Sequence, residues 1–167
     1  MKSDIYIVKT IGSGFLAVMA KPVSGEWIED EFSGIAKKGV RQMVSLLEDH
    51  EAYGLGLQNE NKLAEQNHMA FVSFPIQDRG IPNSISEFSN ITKKLCQEIA
   101  EGRNTVVHCR AGIGRTGIVA ARILLHCGFK PDEAFGLISA KRGIQVPDTD
   151  EQRNWILSNY DVITAST

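Results

Sequence analysis

Cysteine is scarce in this chain, no long apolar run occurs, and neither sign of charge dominates. The three cysteines among 167 residues, Cys96, Cys109 and Cys127, are an odd number with no Cys-x-x-Cys spacing. That argues against a disulfide framework or a zinc ribbon and makes a reducing, cytoplasmic compartment the expected one. No stretch approaches the ~18–20 apolar residues of a membrane span, and Arg122 interrupts the best helical candidate. A net charge of −2 argues against a broad nucleic-acid-binding face, though not against a local basic pocket. Residues 15–20 could pass for the end of a signal peptide, but Asp4 stands where positive charge belongs and Lys9 breaks the apolar stretch, so cleavage is not expected. What is present, 43% apolar and 23% charged residues, is the composition of a globular protein. No repeat, low-complexity tract or linker divides it, and a single domain over residues 1–167 is the expected organisation.

Strand and helix signals alternate along the chain. Residues 5–8 and 15–20 read as short strands joined by a turn at Gly12-Ser13-Gly14. Trp27, Ile28, Phe32, Ile35 and Ala36 recur at helical spacing before a Gly39 stop. Residues 40–47 and 70–76 read as strands, with a short helix at 61–67 between them. Ser84-x-x-Glu87 is a capping box, opening an apolar stripe of Ile85, Phe88, Ile91, Leu95 and Ile99 that ends at Gly102. A β-branched strand at 105–108 follows, then a helix over 114–127 stopped by Gly128, a helix opened by Pro131, and a last one opened by Thr149-x-x-Gln152. The pattern predicts an α/β fold: a central, at least partly parallel sheet with helices on both faces.

The chemistry concentrates in Val106-Val107-His108-Cys109-Arg110-Ala111-Gly112-Ile113-Gly114-Arg115-Thr116-Gly117. A buried strand ends at His108, and a helix begins near Gly114. The glycines permit φ > 0 and let backbone amides converge at the positive end of a helix dipole, an anion site. Arg110, Ala111, Gly112, Ile113 and Gly114 would supply that cradle, and Arg115 adds a planar fork matched to two phosphate oxygens. The same field favours a thiolate at Cys109, aimed at the phosphorus of a bound ester. Thr116 would donate a hydrogen bond to that sulfur, helping it leave, and His108 would order the loop. Taken singly, a cysteine after a strand is usually a small core hydrophobe and a neighbouring histidine a structural residue. Their concentration within nine residues at a strand-to-helix junction reverses that reading. The nucleotide-binding loop GxxxxGK[ST] is excluded, because its lysine is missing and a cysteine opens the loop.

The segment HCRAGIGRTG matches the HC-x5-R-[ST] signature of the cysteine-dependent protein tyrosine phosphatase superfamily, and the chain resembles that superfamily from residues 71–78 to Gln152. The resemblance implies a phosphatase-type fold with a mostly parallel, twisted sheet of about five strands. It also implies a general acid on a loop upstream of the cysteine. Phe74-Pro75-Ile76-Gln77-Asp78-Arg79-Gly80-Ile81-Pro82 is similar to that loop, with Asp78 lying 31 positions before Cys109. One carboxyl can protonate the leaving oxygen and then deprotonate the water that cleaves the thiophosphate. Gln145 and Gln152 resemble glutamines that position this water, although a helix cap explains Gln152 equally well. The acid loop has no Trp-Pro-Asp, so size and loop form look more like compact dual-specificity phosphatases of the kinase-associated and bacterial single-domain types.

Other charges carry blander readings. Glu29, Asp30 and Glu31 suit the dipole of a solvated helix face, as do Lys37-Lys38 and Lys93-Lys94. His50, His68 and His126 have no metal-ligand spacing. The resemblance implies an enzyme without cofactor or metal, acting on a phosphorylated protein or peptide and on neither nucleic acid nor membrane; the oligomeric state is open. Phosphotyrosine is the expected target, ahead of phosphoserine or phosphothreonine. A first rival is a phosphatase of non-protein esters such as inositol phosphates, lipids or RNA 5′ ends: Ala111 and Ile113 speak against it and Arg110 for it. A second is a non-catalytic phosphoprotein-binding module, although such modules usually lose the cysteine, arginine or aspartate that are all present here.

Overall fold

The computed structural model describes residues 3–160. Five strands form one sheet in the order β1-β2-β5-β3-β4, built from β1 (Tyr6–Ile11), β2 (Gly14–Met19), β3 (Gln42–Ser45), β4 (Ala70–Ser73) and β5 (Thr105–His108). The β1–β2 pair is antiparallel, and every other pairing is parallel. Seven helices complete the described residues: α1 (Ile28–Lys37), α2 (Asp49–Gly54), α3 (Glu60–Gln66), α4 (Ile85–Ala100), α5 (Gly114–His126), α6 (Pro131–Arg142) and α7 (Asp150–Ser158). The expected α/β sheet, mostly parallel and covered on both faces, is the one the chain adopts.

Side-chain alternation explains the two faces. Leu16 and Val18 of β2, Val44 of β3 and Val107 of β5 enter one core with α4, α5, α6 and α7. Their neighbours Ala17, Met19, Met43 and Val106 enter a second core with Phe32 and Ile35 of α1 and with Leu63 and Ala64 of α3. A central parallel strand is buried on both sides, which is why 105–108 reads as uninterrupted Thr-Val-Val-His. Fully burying a Phe32 or a Leu16 contributes about 1.5–3 kcal/mol each.

Boundaries shift for identifiable reasons. The ladder of β4 stops at Ser73 because Pro75 has no N–H, although Phe74 N and Ile76 N still donate to Ser45 O and Leu46 O. Trp27, expected on the buried helix face, is instead the α1 N-cap and 62% exposed. Glu31 corrects the solvated-face reading: it is buried, accepting from Ser3 N, Ser3 Oγ and Val23 N. The six-residue α2 has no counterpart among the sequence expectations. Ser84 and Thr149 do cap α4 and α7, accepting from Glu87 N and Gln152 N.

Candidate active site

The site lies at the carboxyl ends of β3, β4 and β5, where the chain leaves three parallel strands in the same direction. Beyond β5, residues 109–113 curl into a loop that ends at the α5 N-terminus. Gly112 is its left-handed residue, with φ 74°, and a Cβ there would overlap the Met19–Ala20 backbone. Gly114 and Gly117 do not use positive φ, contrary to the sequence expectation. They are small because other groups approach: a Cβ on Gly114 would overlap the Asp148 carboxylate and Gln152, and one on Gly117 would overlap Val146. Lys21 N donates to Arg110 O at 3.0 Å and Arg142 Nη2 to Ala111 O at 2.9 Å, fixing the loop from two sides.

Cys109 is buried at the floor of a cavity of about 190 Å³ lined by Asp78, Arg79, Arg110, Ala111, Gly114, Arg115, Asp148 and Gln152. Arg115 is 2% exposed. Its Nη1 donates to Glu51 Oε1 at 2.8 Å and Ile76 O at 2.9 Å; its Nη2 donates to Glu51 Oε2 at 2.8 Å and Asp78 Oδ1 at 3.1 Å. This bidentate fork holds the guanidinium in one plane. Burial works against the Arg115 charge, but the Glu51 hydrogen bonds and the nearby Cys109, Glu51 and Asp78 more than offset it, so the proton is held more tightly than usual. Glu51 is held below the ordinary carboxylate range, first by its hydrogen bonds from Arg115. Its stabilising effect is therefore present above the ordinary carboxylate range and lost as pH falls through its depressed value.

Asp78 reaches the same Nη2 as Glu51, its side chain half exposed. A turn aims it there: Gly80 N donates to Gln77 O at 2.8 Å, and Arg79 between them has φ 60°, unusual for a side-chain-bearing residue. Arg79 in turn lies 3.6 Å from Asp148 across the cavity mouth. His108 is completely buried, with Nδ1 at 3.1 Å from Cys109 O and Nε2 at 2.8 Å from Glu60 Oε2. These two contacts fix the ring between the backbone of the loop and α3.

The sequence of residues 17–129 matches the family Tc-R-P, described as a polymorphic toxin system, DSP-PTPase phosphatase. The chain belongs to this phosphatase family. Over 93 residues it is 31% identical to cyclin-dependent kinase inhibitor 3 of Homo sapiens, a stretch covering 54% of this chain and 43% of that protein, so the match spans under half of that relative. Among solved structures it is similar to kinase associated phosphatase bearing serine for its catalytic-site cysteine, with TM-score 0.86 and 22% identity over 99% of this chain and 98% of that one. It is also similar to Tk-PTP in its active form, with TM-score 0.77 and 23% identity over 94% and 96% of the two chains. Both structural likenesses concern the fold.

In this DSP-PTPase chain the residues singled out from sequence mostly converge. Cys109, Arg110, Ala111, Gly114, Arg115, Asp78 and Gln152 share one cavity, with Gly112 and Ile113 completing its loop. Gln152 spends its side chain on Gly80 O at 3.0 Å rather than on its own helix, and its buried Oε1 has no partner among the described residues. Gln145 is exposed and does not line the cavity. The hydrogen bond expected from Thr116 to the sulfur is absent: its buried hydroxyl has no partner among the described residues. Sequence reasoning missed Glu51, Glu60, Asp148 and Arg142. Glu51 and Glu60 belong to α2 and α3, and the only signal for them was indirect, in that a buried arginine and a buried histidine each require an acceptor.

Proposed function

We propose that this chain hydrolyses phosphomonoesters on proteins, phosphotyrosine foremost and phosphoserine or phosphothreonine after it, through a phosphocysteine on Cys109. The convergence of Cys109, Arg115 and Asp78 in one cavity carries the reading. Loop amides and Arg115 hold the three non-bridging oxygens, placing phosphorus over Sγ. Arg115 Nη2 donates to both Glu51 and Asp78, so a phosphate that takes a place on Nη2 displaces the half-exposed Asp78 rather than the more covered Glu51. The freed carboxyl then faces the leaving oxygen. As Sγ attacks, the S–P bond forms and the O–P bond breaks, Asp78 giving its proton to the departing oxygen. In the second half Asp78 takes a proton from water, which attacks phosphorus and expels the thiolate. Gln152, beside Asp78 and the loop, is placed to orient that water. His108, clamped by Glu60, and Arg142 position the loop. The cytoplasm is the proposed compartment, in keeping with three free cysteines; no helix among the described residues is long and apolar enough to cross a membrane.

A second reading rests on the rim. Arg79 and Arg110 flank the cavity, and no aromatic side chain lines it among the described residues, which suits a polyanionic, non-protein ester. A panel of phosphopeptides and inositol phosphates, run with wild type and Cys109→Ser, decides between them. Phosphopeptide turnover that falls by more than about 10³-fold in Cys109→Ser is the expected result. Turnover confined to inositol phosphates establishes the second reading, and no turnover of either kind refutes both.

A further inference from the structure

Two of the three thiols lie at the far end of α5 from the candidate site. Cys127 is the C-cap of α5, and Cys96 lies on α4 with its Sγ 3.2 Å from Cys127 Sγ. Cys109 precedes the other end of this 13-residue helix, roughly 20 Å away at ~1.5 Å rise per residue. Neither distal thiol can therefore condense with an oxidised Cys109. They can condense with each other. Their sulfurs are closer than ordinary van der Waals contact, and a small side-chain rotation brings them to the ~2.05 Å of a disulfide. Burial as core hydrophobes does not explain the pair, because Cys127 is exposed and Cys96 only partly covered. The contact between the two sulfurs lowers the Cys96 thiol to about 7 and raises the Cys127 thiol, whose proton also reaches Ile123 O at 3.4 Å, so Cys96 is the sulfur placed to attack first.

We propose that Cys96 and Cys127 are a peroxide-reactive modification site, separate from the catalytic loop, that closes to an intramolecular disulfide between α4 and the end of α5. The Cys96 thiolate attacks one peroxide oxygen, the O–O bond breaks, and the departing hydroxide takes a proton to become water. Cys127 sulfur then attacks the Cys96 sulfenic acid and displaces hydroxide, which takes the Cys127 proton. The sum is two thiols and one hydrogen peroxide giving one disulfide and two waters. The bond closes a loop that contains β5, the residue 109–113 loop and all of α5, so it tethers the scaffold beneath the site.

The test uses Cys109→Ser protein, so that it is independent of the proposed activity. Treated with hydrogen peroxide, it is expected to lose both remaining thiols and two hydrogen masses. Non-reducing digestion should give a Cys96–Cys127 cross-linked peptide, and Tm should rise by about 5–10 °C, reversibly with dithiothreitol. Cys127→Ser in the same background should lose the cross-link and leave a Cys96 sulfenic acid that dimedone traps. Sulfinic acid at Cys96 without the cross-link, or a disulfide between two copies through Cys127, would overturn the proposal.

Discussion

Arg115 is held buried by a bidentate pair with Glu51 and by Asp78, which leaves Asp78 the exposed, displaceable partner. That Cys109 and Arg115 share one cavity was legible from their common loop, and that Asp78 joins them followed from the resemblance to the phosphatase superfamily. The carboxylates that hold the loop in place were not legible, because Glu51 and Glu60 stand on short helices with no chemical pattern of their own. Glu31 shows the converse: three acidic residues in a first turn read as a dipole-suited surface, yet buried backbone and hydroxyl donors claim one of them. At this scale the sharpest prediction concerns Asp78. Asp78→Asn keeps the shape of the Arg115 contact but removes the transferable proton. Hydrolysis of an alkyl phosphate should slow by about 10²–10⁴-fold, whereas an aryl phosphate with a good leaving group should lose far less, because its oxygen departs unprotonated. Steady-state kinetics across a leaving-group series measure this. Equal losses across the series would move the acid role to another residue, with Asp148, which lines the same cavity, the first to try.

Helix α5 links the site to the protein interior and carries an unbalanced charge. Arg122 is fully buried, and none of its guanidinium nitrogens has a hydrogen-bond partner among the described residues. Burial lowers its pKa to about 10. One turn on, His126 is pushed down to about 4, first by burial and then by the charges of Arg122 and Lys93. Its hydrogen bonding agrees. Thr92 Oγ1 spends its proton on Phe88 O at 2.7 Å, so His126 Nε2 donates to Thr92 Oγ1 at 3.0 Å, and Nδ1 is left without a partner. A lowered histidine pKa means that the unfolded chain binds a proton the folded one refuses. Stability therefore falls as pH drops from about 6.5 to about 4. Arg122→Met should stabilise the fold by about 1–2 kcal/mol, since an apolar chain of similar length replaces an unpaired cation and forfeits only its contact with the Phe88 ring. The same variant should raise the His126 pKa and shallow the acid-side slope, read by NMR titration and by thermal melts across pH. A lower Tm at every pH would show that Arg122 is paired rather than stranded. From sequence, Arg122 was visible only as the residue that interrupts an apolar helix.

For the whole molecule, sheet and layers were readable because strand and helix signals alternate along most of the chain, the short α2 excepted. Helix stops at Gly39, Gly102 and Gly128 were readable too, since each takes the left-handed backbone that glycine favours. What could not be read is how α2 and Asp148 come to the loop after β5, which they reach through three-dimensional proximity alone. That assembly requires a phosphocysteine on Cys109, which a rapid acid quench traps. Wild type mixed with an aryl phosphate and quenched in acid within the first turnover should carry one phosphate on the Cys109 peptide by mass spectrometry, with a matching burst of released phenol. Phosphate on another residue, or full turnover with no phosphate on Cys109 at any quench time, would contradict the account.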